Sequence, residues 1–466
     1  MKSYYFYASH KNYFILIIYF TNVKKIYIAL LVLFVIGGVG SCQKKEVINE
    51  NQIVLSWVGL TLHLLKNTPA NTPTFASRTL GYIGLSMYES VVQGFEGQRS
   101  MNKQLNGLNT LPQKEKDKKY SWIASLNAAQ AEILRSIYIQ TSDANKVKID
   151  SLEQLIYEKL KAANHEGIEL ERSTKFGKEV AKQIFEWSKT DSGHRAYLRN
   201  FDKKMVFEQK KGSWQPPLYA QSFSHFPLHP HWGKNRTFLS EDANIAAPNF
   251  IPYSEEKNSP YYQQFWEVYQ KEKTLTQEEK EVAIWWGDDP DETYTPPGHS
   301  YFLASLVIKA KNPPLIKSAE TFARVGMAVA DAFINCWKWK YQFFSERPNT
   351  YITKHIDSTW VSFWPDPPFP AFPSGHAIQA AAAATVLIDL YGEKFSFTDS
   401  LHQGRRKDDL RNVDFKTRTF DSFWQVAEET ANSRFYGGIH TRQDNQAGLE
   451  KGKEIGENIN KLKWGK

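Results

Sequence analysis

Cysteine is almost absent from this chain: its 466 residues include two, Cys42 and Cys336. A disulfide framework or a cysteine metal site needs more than that, so neither holds the fold together. Long apolar runs are also missing once the first 41 residues are passed. The most apolar later stretch, residues 380–388, is far short of the roughly 20 residues that a spanning helix requires. Nor does one sign of charge dominate. The 58 basic and 50 acidic side chains leave a formal +8, and four lysines near the start (Lys2, Lys11, Lys24, Lys25) account for half of it. Later basic clusters are short, as in Arg405-Arg406-Lys407, or interleaved with acids. They read as solvated faces and argue against a nucleic-acid partner. What is plentiful is apolar and aromatic content, 41% and 14%. That is enough for one large or two medium globular domains and excludes a disordered chain.

The N-terminus reads as a targeting segment. Lys24-Lys25 precede an apolar run, residues 26–39, that closes on Gly40-Ser41-Cys42. A charged flank, a short apolar stretch and small residues describe a secretory signal. Val39-Gly40-Ser41-Cys42 resembles the bacterial lipoprotein box, whose cysteine is lipidated and becomes the mature N-terminus. A retained anchor is the alternative, because residues 13–20 are apolar as well; the run after Lys25 is too short to span, which favours the lipoprotein. The expectation is a signal peptide over 1–41, lipidation at Cys42 and a polar tether over 42–52. Such a protein is exported to the bacterial cell envelope, periplasm or outer membrane, and touches the membrane only through its lipid.

From Val54 onward the periodicity is helical. Residues 74–92, 120–138, 144–162 and 174–189 carry apolar side chains at three- and four-residue spacing. A Pro-, Gly- and His-rich stretch over 212–252 predicts a structured loop, and a helical pair follows at 260–270 and 277–286. Pro296-Pro297-Gly298-His299 predicts a turn leading into a helix over 300–309. A long helix over 318–344 has Phe322, Val325, Val329, Phe333, Cys336 and Trp337 on its apolar positions, and Arg347-Pro348 ends it. Helices are also expected from Ser374 to residue 390, over 421–435 and over 445–461. Strand-like alternation is scarce. The predicted class is all-α, a helical bundle with an N-terminal helical region over 53–311 and a C-terminal catalytic region over 312–466.

Three short stretches of the C-terminal region carry the chemistry. Lys340 and Arg347 are two helical turns apart and share a face. Ser374-Gly375-His376 opens a helix, where glycine lets the backbone approach an anion and free N–H groups point at it. For that triplet alone, a helix cap with an incidental histidine is the competing reading. Arg434 supplies a second guanidinium fork. His440 follows the Gly437-Gly438 break, and Asp444 is placed to take the proton on its other ring nitrogen. The set suits a tetrahedral oxyanion.

Taken together, these stretches resemble the superfamily that joins type 2 phosphatidic acid phosphatases, bacterial acid phosphatases and vanadium-dependent haloperoxidases. Its pattern is Lys, six residues, Arg-Pro; then Pro-Ser-Gly-His; then Ser-Arg, five residues, His, three residues, Asp. Every fixed position and spacing is met between Lys340 and Asp444. Looser similarity upstream, at Ser77-Arg78, His231-Trp232-Gly233 and Pro296-Pro297-Gly298-His299, favours the soluble haloperoxidase branch. The resemblance implies vanadate as cofactor, bonded to His440 and neutralised by Lys340, Arg347 and Arg434, with Ser374 and Gly375 completing the cradle. His376 would manage a proton, Lys340 would polarise peroxide, and hydrogen peroxide and halide would be the reactants. The same residues serve a phosphatase, which needs no cofactor: His440 attacks a phosphate ester and His376 protonates the leaving alcohol. Trp337 and Phe369 are placed in the pocket by the same resemblance, Phe369 at a position that is histidine in many bromoperoxidases. His225, His229 and His231 lack metal-site spacing and are read as structural; His299 stays unassigned.

Overall fold

Polar side chains set where the helices begin. Thr72, Ser142, Ser259, Ser374 and Thr441 each accept a hydrogen bond from a backbone N–H about one turn on, satisfying donors that have no partner within the helix. Thr276 with Glu279 and Thr441 with Asp444 form reciprocal capping boxes. A computed structural model describes residues 48–163, 167–217, 219–221, 224–290 and 292–465. The signal, the lipidation site Cys42 and most of the expected tether lie outside the described residues.

The described residues contain thirteen α-helices: α1 (Glu50–Asn67), α2 (Pro73–Glu89), α3 (Trp122–Ile137), α4 (Asp143–Ala162), α5 (Gly167–Ser188), α6 (Pro260–Lys273), α7 (Gln277–Trp285), α8 (Thr295–Lys311), α9 (Leu315–Phe343), α10 (Pro348–His355), α11 (Gly375–Tyr391), α12 (Phe423–Tyr436) and α13 (Arg442–Asn460). The all-α class holds. A two-stranded antiparallel ribbon, β1 (Phe397–Asp399) with β2 (Arg418–Phe420), pairs Phe397 with Phe420. Among the described residues no helix is long and apolar enough to cross a membrane.

The central element is α9, 29 residues and so about 44 Å long. It is buried on nearly every side, with α2 along one flank and α11 along another. The α2 contact is backbone-close: a Cβ on Gly84 would lie 2.8 Å from the Phe322 carbonyl carbon, and one on Gly326 2.9 Å from that of Leu80. The α11–α13 pair is just as tight. A Cβ on Gly448 would lie 2.9 Å from the Ser374 oxygen, and one on Gly456 2.8 Å from the Ala382 oxygen. These contacts advance together along both helices, so α11 and α13 run parallel and begin at the same end. That end is also where α9 and α12 finish and α10 starts, and five helix termini therefore meet at one place. Asn49–Lys466 is one compact unit, in which the helices of 53–311 and 312–466 share their packing.

The structure departs from expectation in four places. The helix α1 already begins at Glu50, capped by Asn49, where a tether was expected to continue to residue 52. Pro296-Pro297-Gly298-His299 is not a turn before a helix but the opening of α8. Proline fits there because a first-turn N–H has no helical partner to lose. Arg347-Pro348 does not simply end a helix: α9 stops at Phe343, with Phe344 left-handed (φ 49°), and Pro348 opens α10 for the same reason. The β1–β2 ribbon carried no recognisable alternation, because each strand is three residues long.

Candidate active site

Each motif residue sits at one of the converging termini. Lys340 is in the last turn of α9, Arg347 caps α10, and Ser374 caps α11 with Gly375 and His376 in its first turn. Arg434 lies in the last turn of α12, His440 in the link after it, and Asp444 in the first turn of α13. A backbone bond from Ser374 N–H to the Asp444 carbonyl (2.9 Å) ties two of these ends together. His376, His440 and Gly375 line a cavity of about 510 Å³, with Trp337 and Phe369 on its apolar wall. Lys340, Arg347, Ser374 and Arg434 are 0 to 1% exposed and form the site's interior.

The electrostatics are one-sided. Among the described residues none of the three cations has a carboxylate partner. Lys340 Nζ donates to the Pro370 and Ala371 carbonyls at 2.8 and 2.6 Å. Arg347 donates to the Phe369 carbonyl through Nε (3.1 Å) and to the Ile439 carbonyl through Nη1 (2.9 Å). Arg434 holds the Ala283 carbonyl at 2.5 Å, while its Nη1 is buried without a partner. Burial pushes Lys340 down to about 7, and Arg347 and Arg434 to about 10. Three desolvated cations without counter-charge are costly to keep, and a bound anion relieves that cost.

His440 is oriented from both sides. Its Nδ1 is 2.9 Å from Asp444 Oδ2, which also accepts the Thr441 N–H at 3.1 Å. Arg347 Nη1 lies 3.2 Å from Nε2. The carboxylate fixes the proton on Nδ1, so Nε2 carries the lone pair, which accepts from Arg347 here. Burial holds the ring well below its ordinary range, so it is neutral, and it pushes the Asp444 carboxyl up to about 6. His376 is also held well below its ordinary range by burial and then by Arg434. The Gly287 carbonyl accepts a hydrogen bond from its ring, whereas Nε2 has no partner.

Trp337 and Phe369 both line the cavity. They are in contact at 4.9 Å between centroids, and the Phe369 ring lies 5.2 Å from both Lys340 Nζ and the Arg347 guanidinium. Cys336 is a buried free thiol against the cradle, donating to the Pro373 carbonyl at 3.6 Å and pushed up to about 11 by burial. Of the loop histidines, His229 is buried against Asn200 (2.8 Å) and stacks on Trp232, and His231 pairs with Asp202 at 2.9 Å. Neither reaches the cavity.

Residues 353–463 match the family model of the VCPO second helical-bundle domain. The crystal structure of a bacterial vanadium-dependent iodoperoxidase superposes with a TM-score of 0.74 at 28% identity, covering 88% of this chain and 95% of that one. The chain is similar to the vanadium-dependent haloperoxidases in its fold and over its C-terminal helical-bundle domain. An apo-type bacterial vanadium-dependent chloroperoxidase shares its fold, with a TM-score of 0.62 at 14% identity, covering 84% of this chain and 93% of the other. Over 171 residues the chain is 28% identical to the vanadium chloroperoxidase of Curvularia inaequalis; this match takes in 27% of the chain and 28% of that protein's length.

The vanadium haloperoxidase motif does not contain everything that forms the site here. Gly287, Asp288 and Asp289, from the link after α7, line the same cavity. The acids of Gly287-Asp288-Asp289-Pro290 lie more than 50 residues before Lys340 and no spacing rule connects them. Asp366, just before Phe369, is fully buried with neither carboxylate oxygen partnered, and burial pushes it up to about 7.

Proposed function

We propose that the protein is a vanadate-dependent haloperoxidase that uses hydrogen peroxide to oxidise a halide to hypohalous acid. The observation that carries this reading is the set of unmet groups around one imidazole: Arg434 Nη1 and His376 Nε2 are buried without partners, and three cations lack a counter-ion. A bound oxyanion would accept from Arg434 Nη1 and supply the missing counter-charge, a hydroxyl on it would donate to His376 Nε2, and His440 would hold its central atom through Nε2. Vanadate fits that donor set and supplies a Lewis-acid centre that activates peroxide without changing its own oxidation state.

The protein's own residues do the rest. Lys340, Arg347 and Arg434, all buried, would offset the negative charge of the bound oxyanion. Asp444 keeps the His440 proton on Nδ1, so that Nε2 remains a ligand. His376, neutral at rest, would hold or release a proton at Nε2, the nitrogen it presents to the cavity without a partner. The apolar wall of Trp337 and Phe369 admits a soft, weakly hydrated anion. Iodide is the first halide to test, given the likeness to the bacterial iodoperoxidase.

The test is turnover of purified protein with orthovanadate, hydrogen peroxide and iodide, bromide or chloride, beside a phosphomonoester assay without vanadate. Vanadate-dependent halide oxidation is the expected result. Cleavage of the ester alone, with vanadate inhibiting, would make His440 a phosphatase nucleophile instead. We further propose that the chain is exported and lipidated at Cys42 to reside in the cell envelope. Replacing Cys42 by Ala should move the protein from the membrane to the soluble fraction; a variant that stays on the membrane would identify a retained anchor.

A further inference from the structure

The Pro-Pro-Gly-His segment has no part in the cradle, yet its histidine is among the most constrained groups in the molecule. His299 is 1% exposed, and both ring nitrogens face carboxylates: Nδ1 lies 2.8 Å from Asp288 Oδ2 and Nε2 2.8 Å from Asp399 Oδ2. The other Asp288 oxygen, Oδ1, lies 3.1 Å from His402 Nε2. Asp399 is itself fixed by the Trp285 indole N–H (2.8 Å) and the Leu401 backbone N–H (2.9 Å), and the His299 ring stacks on Trp286. Burial opposes a charge on His299, but the two carboxylates overcome it and raise the ring to about 10. Both Asp288 and Asp399 are held below the ordinary carboxylate range, against the effect of burial, by their histidine partners.

Asp288 matters because of where it stands. It lines the same cavity as His376 and His440, and its charge acts on both His376 and Arg434. It follows Gly287, whose carbonyl holds the His376 ring, and its backbone is left-handed at φ 49°. A bare carboxylate in that wall would repel an oxyanion and compete for the free Arg434 Nη1. The neighbouring Asp289 escapes this problem differently: burial pushes it up to about 7, towards its neutral form.

We propose that His299 and His402, with Asp399 behind them, are positioning residues that hold both oxygens of the Asp288 carboxylate and so mask its charge from the cavity, leaving Arg434 free for the oxyanion. The proposal rests on the reading of this cavity as an oxyanion site, and extends it to residues that touch neither the anion nor the cradle. A divalent cation is the rival for the cluster, since ligand atoms of Asp288, His299 and His402 lie within 4.8 Å of one another. It fits poorly, because both ring nitrogens of His299 are already committed to carboxylates and a cation would have to displace its proton.

The test is the affinity of the full chain for orthovanadate, and for inorganic phosphate as a redox-silent probe, measured by calorimetry. His299→Gln should weaken both by at least about tenfold, because the exposed charge of Asp288 then opposes the anion. Adding Asp288→Asn to that variant should restore affinity to within about threefold of the parent, a recovery that a merely structural role does not produce. If His299→Gln fails to fold, Asp288→Asn alone decides by sign: masking requires binding at least as tight as the parent. A double variant as weak as His299→Gln, or an Asp288→Asn variant weaker than the parent by about tenfold, overturns the proposal. So does one equivalent of divalent metal at the cluster by mass spectrometry. A folded parent that binds neither anion refutes the oxyanion reading, and the masking with it.

Discussion

Two clusters of histidine, aspartate and cation lie side by side here and are built on opposite principles. In the Asp288–His299–Asp399–His402 cluster every carboxylate accepts from an imidazole, and both ring nitrogens of His299 are engaged. In the cradle, three cations have main-chain carbonyls, the Ser433 hydroxyl and the His440 ring as partners but no carboxylate, and Arg434 Nη1 and His376 Nε2 have nothing. Burial is equally deep in both, so depth does not separate a functional polar group from a supporting one. Whether its hydrogen bonds are complete does. The closed cluster leaves no donor or acceptor for a ligand, and the open one leaves donors for an anion at a cost in stability.

That contrast can be broken, first at His440. His440→Ala should remove halide oxidation by about a thousandfold or more, because no other group can bond the anion's central atom. Vanadate-dependent turnover near the parent level would end the assignment. His376→Ala should lower turnover by about 10² to 10⁴ while leaving vanadate affinity close to the parent's; a loss confined to affinity would make His376 a binding group only. Lys340→Met should weaken anion binding yet raise the melting temperature of the anion-free protein, since it removes an unpaired buried charge. The same logic fixes a pH trend. Lys340 is lowered from 10.5 in the unfolded chain to about 7 when folded, so between those values the unfolded chain binds more protons. Its contribution therefore destabilises the anion-free protein at pH 7 and fades as pH rises to 10.5. Melting curves of the parent and Lys340→Met should converge over that range; parallel curves would place the Lys340 charge elsewhere. The smallest effect lies away from the site: Gly452→Ala, whose Cβ would run into the Ile378 carbonyl, should cost about 1 to 3 kcal/mol by denaturant titration with vanadate affinity nearly unchanged.

Much of this was legible in the sequence, for reasons that differ by residue. Lys340, Arg347, Ser374, Gly375, His376, Arg434, His440 and Asp444 occur at fixed local offsets, and the fold brings all of them to one place. The amphipathic helices were equally readable, because their apolar period is local; the long helix expected at 318–344 is observed as Leu315–Phe343. What escaped notice was long-range or context-dependent. Asp288 meets His402 across 114 residues of chain and His299 meets Asp399 across 100, and no periodicity encodes either pairing. Pro296 and Pro348 mark helix starts as readily as helix ends, and only the surrounding packing chooses between them.

The parallel packing of α11 against α13 has one more consequence. Two helices that begin at the same end bring their positive poles together, an arrangement in which the macrodipoles repel. Three buried cations add to that repulsion. An anion seated there acts as a rivet as well as a reagent. At a hundred times its dissociation constant it adds about 2.7 kcal/mol to the folded state. On the oxyanion reading phosphate would serve as that rivet too, and adding either anion should raise the melting temperature of the parent protein. The fraction of molecules ready for chemistry would then follow the two anions' concentrations, each weighed against its own dissociation constant.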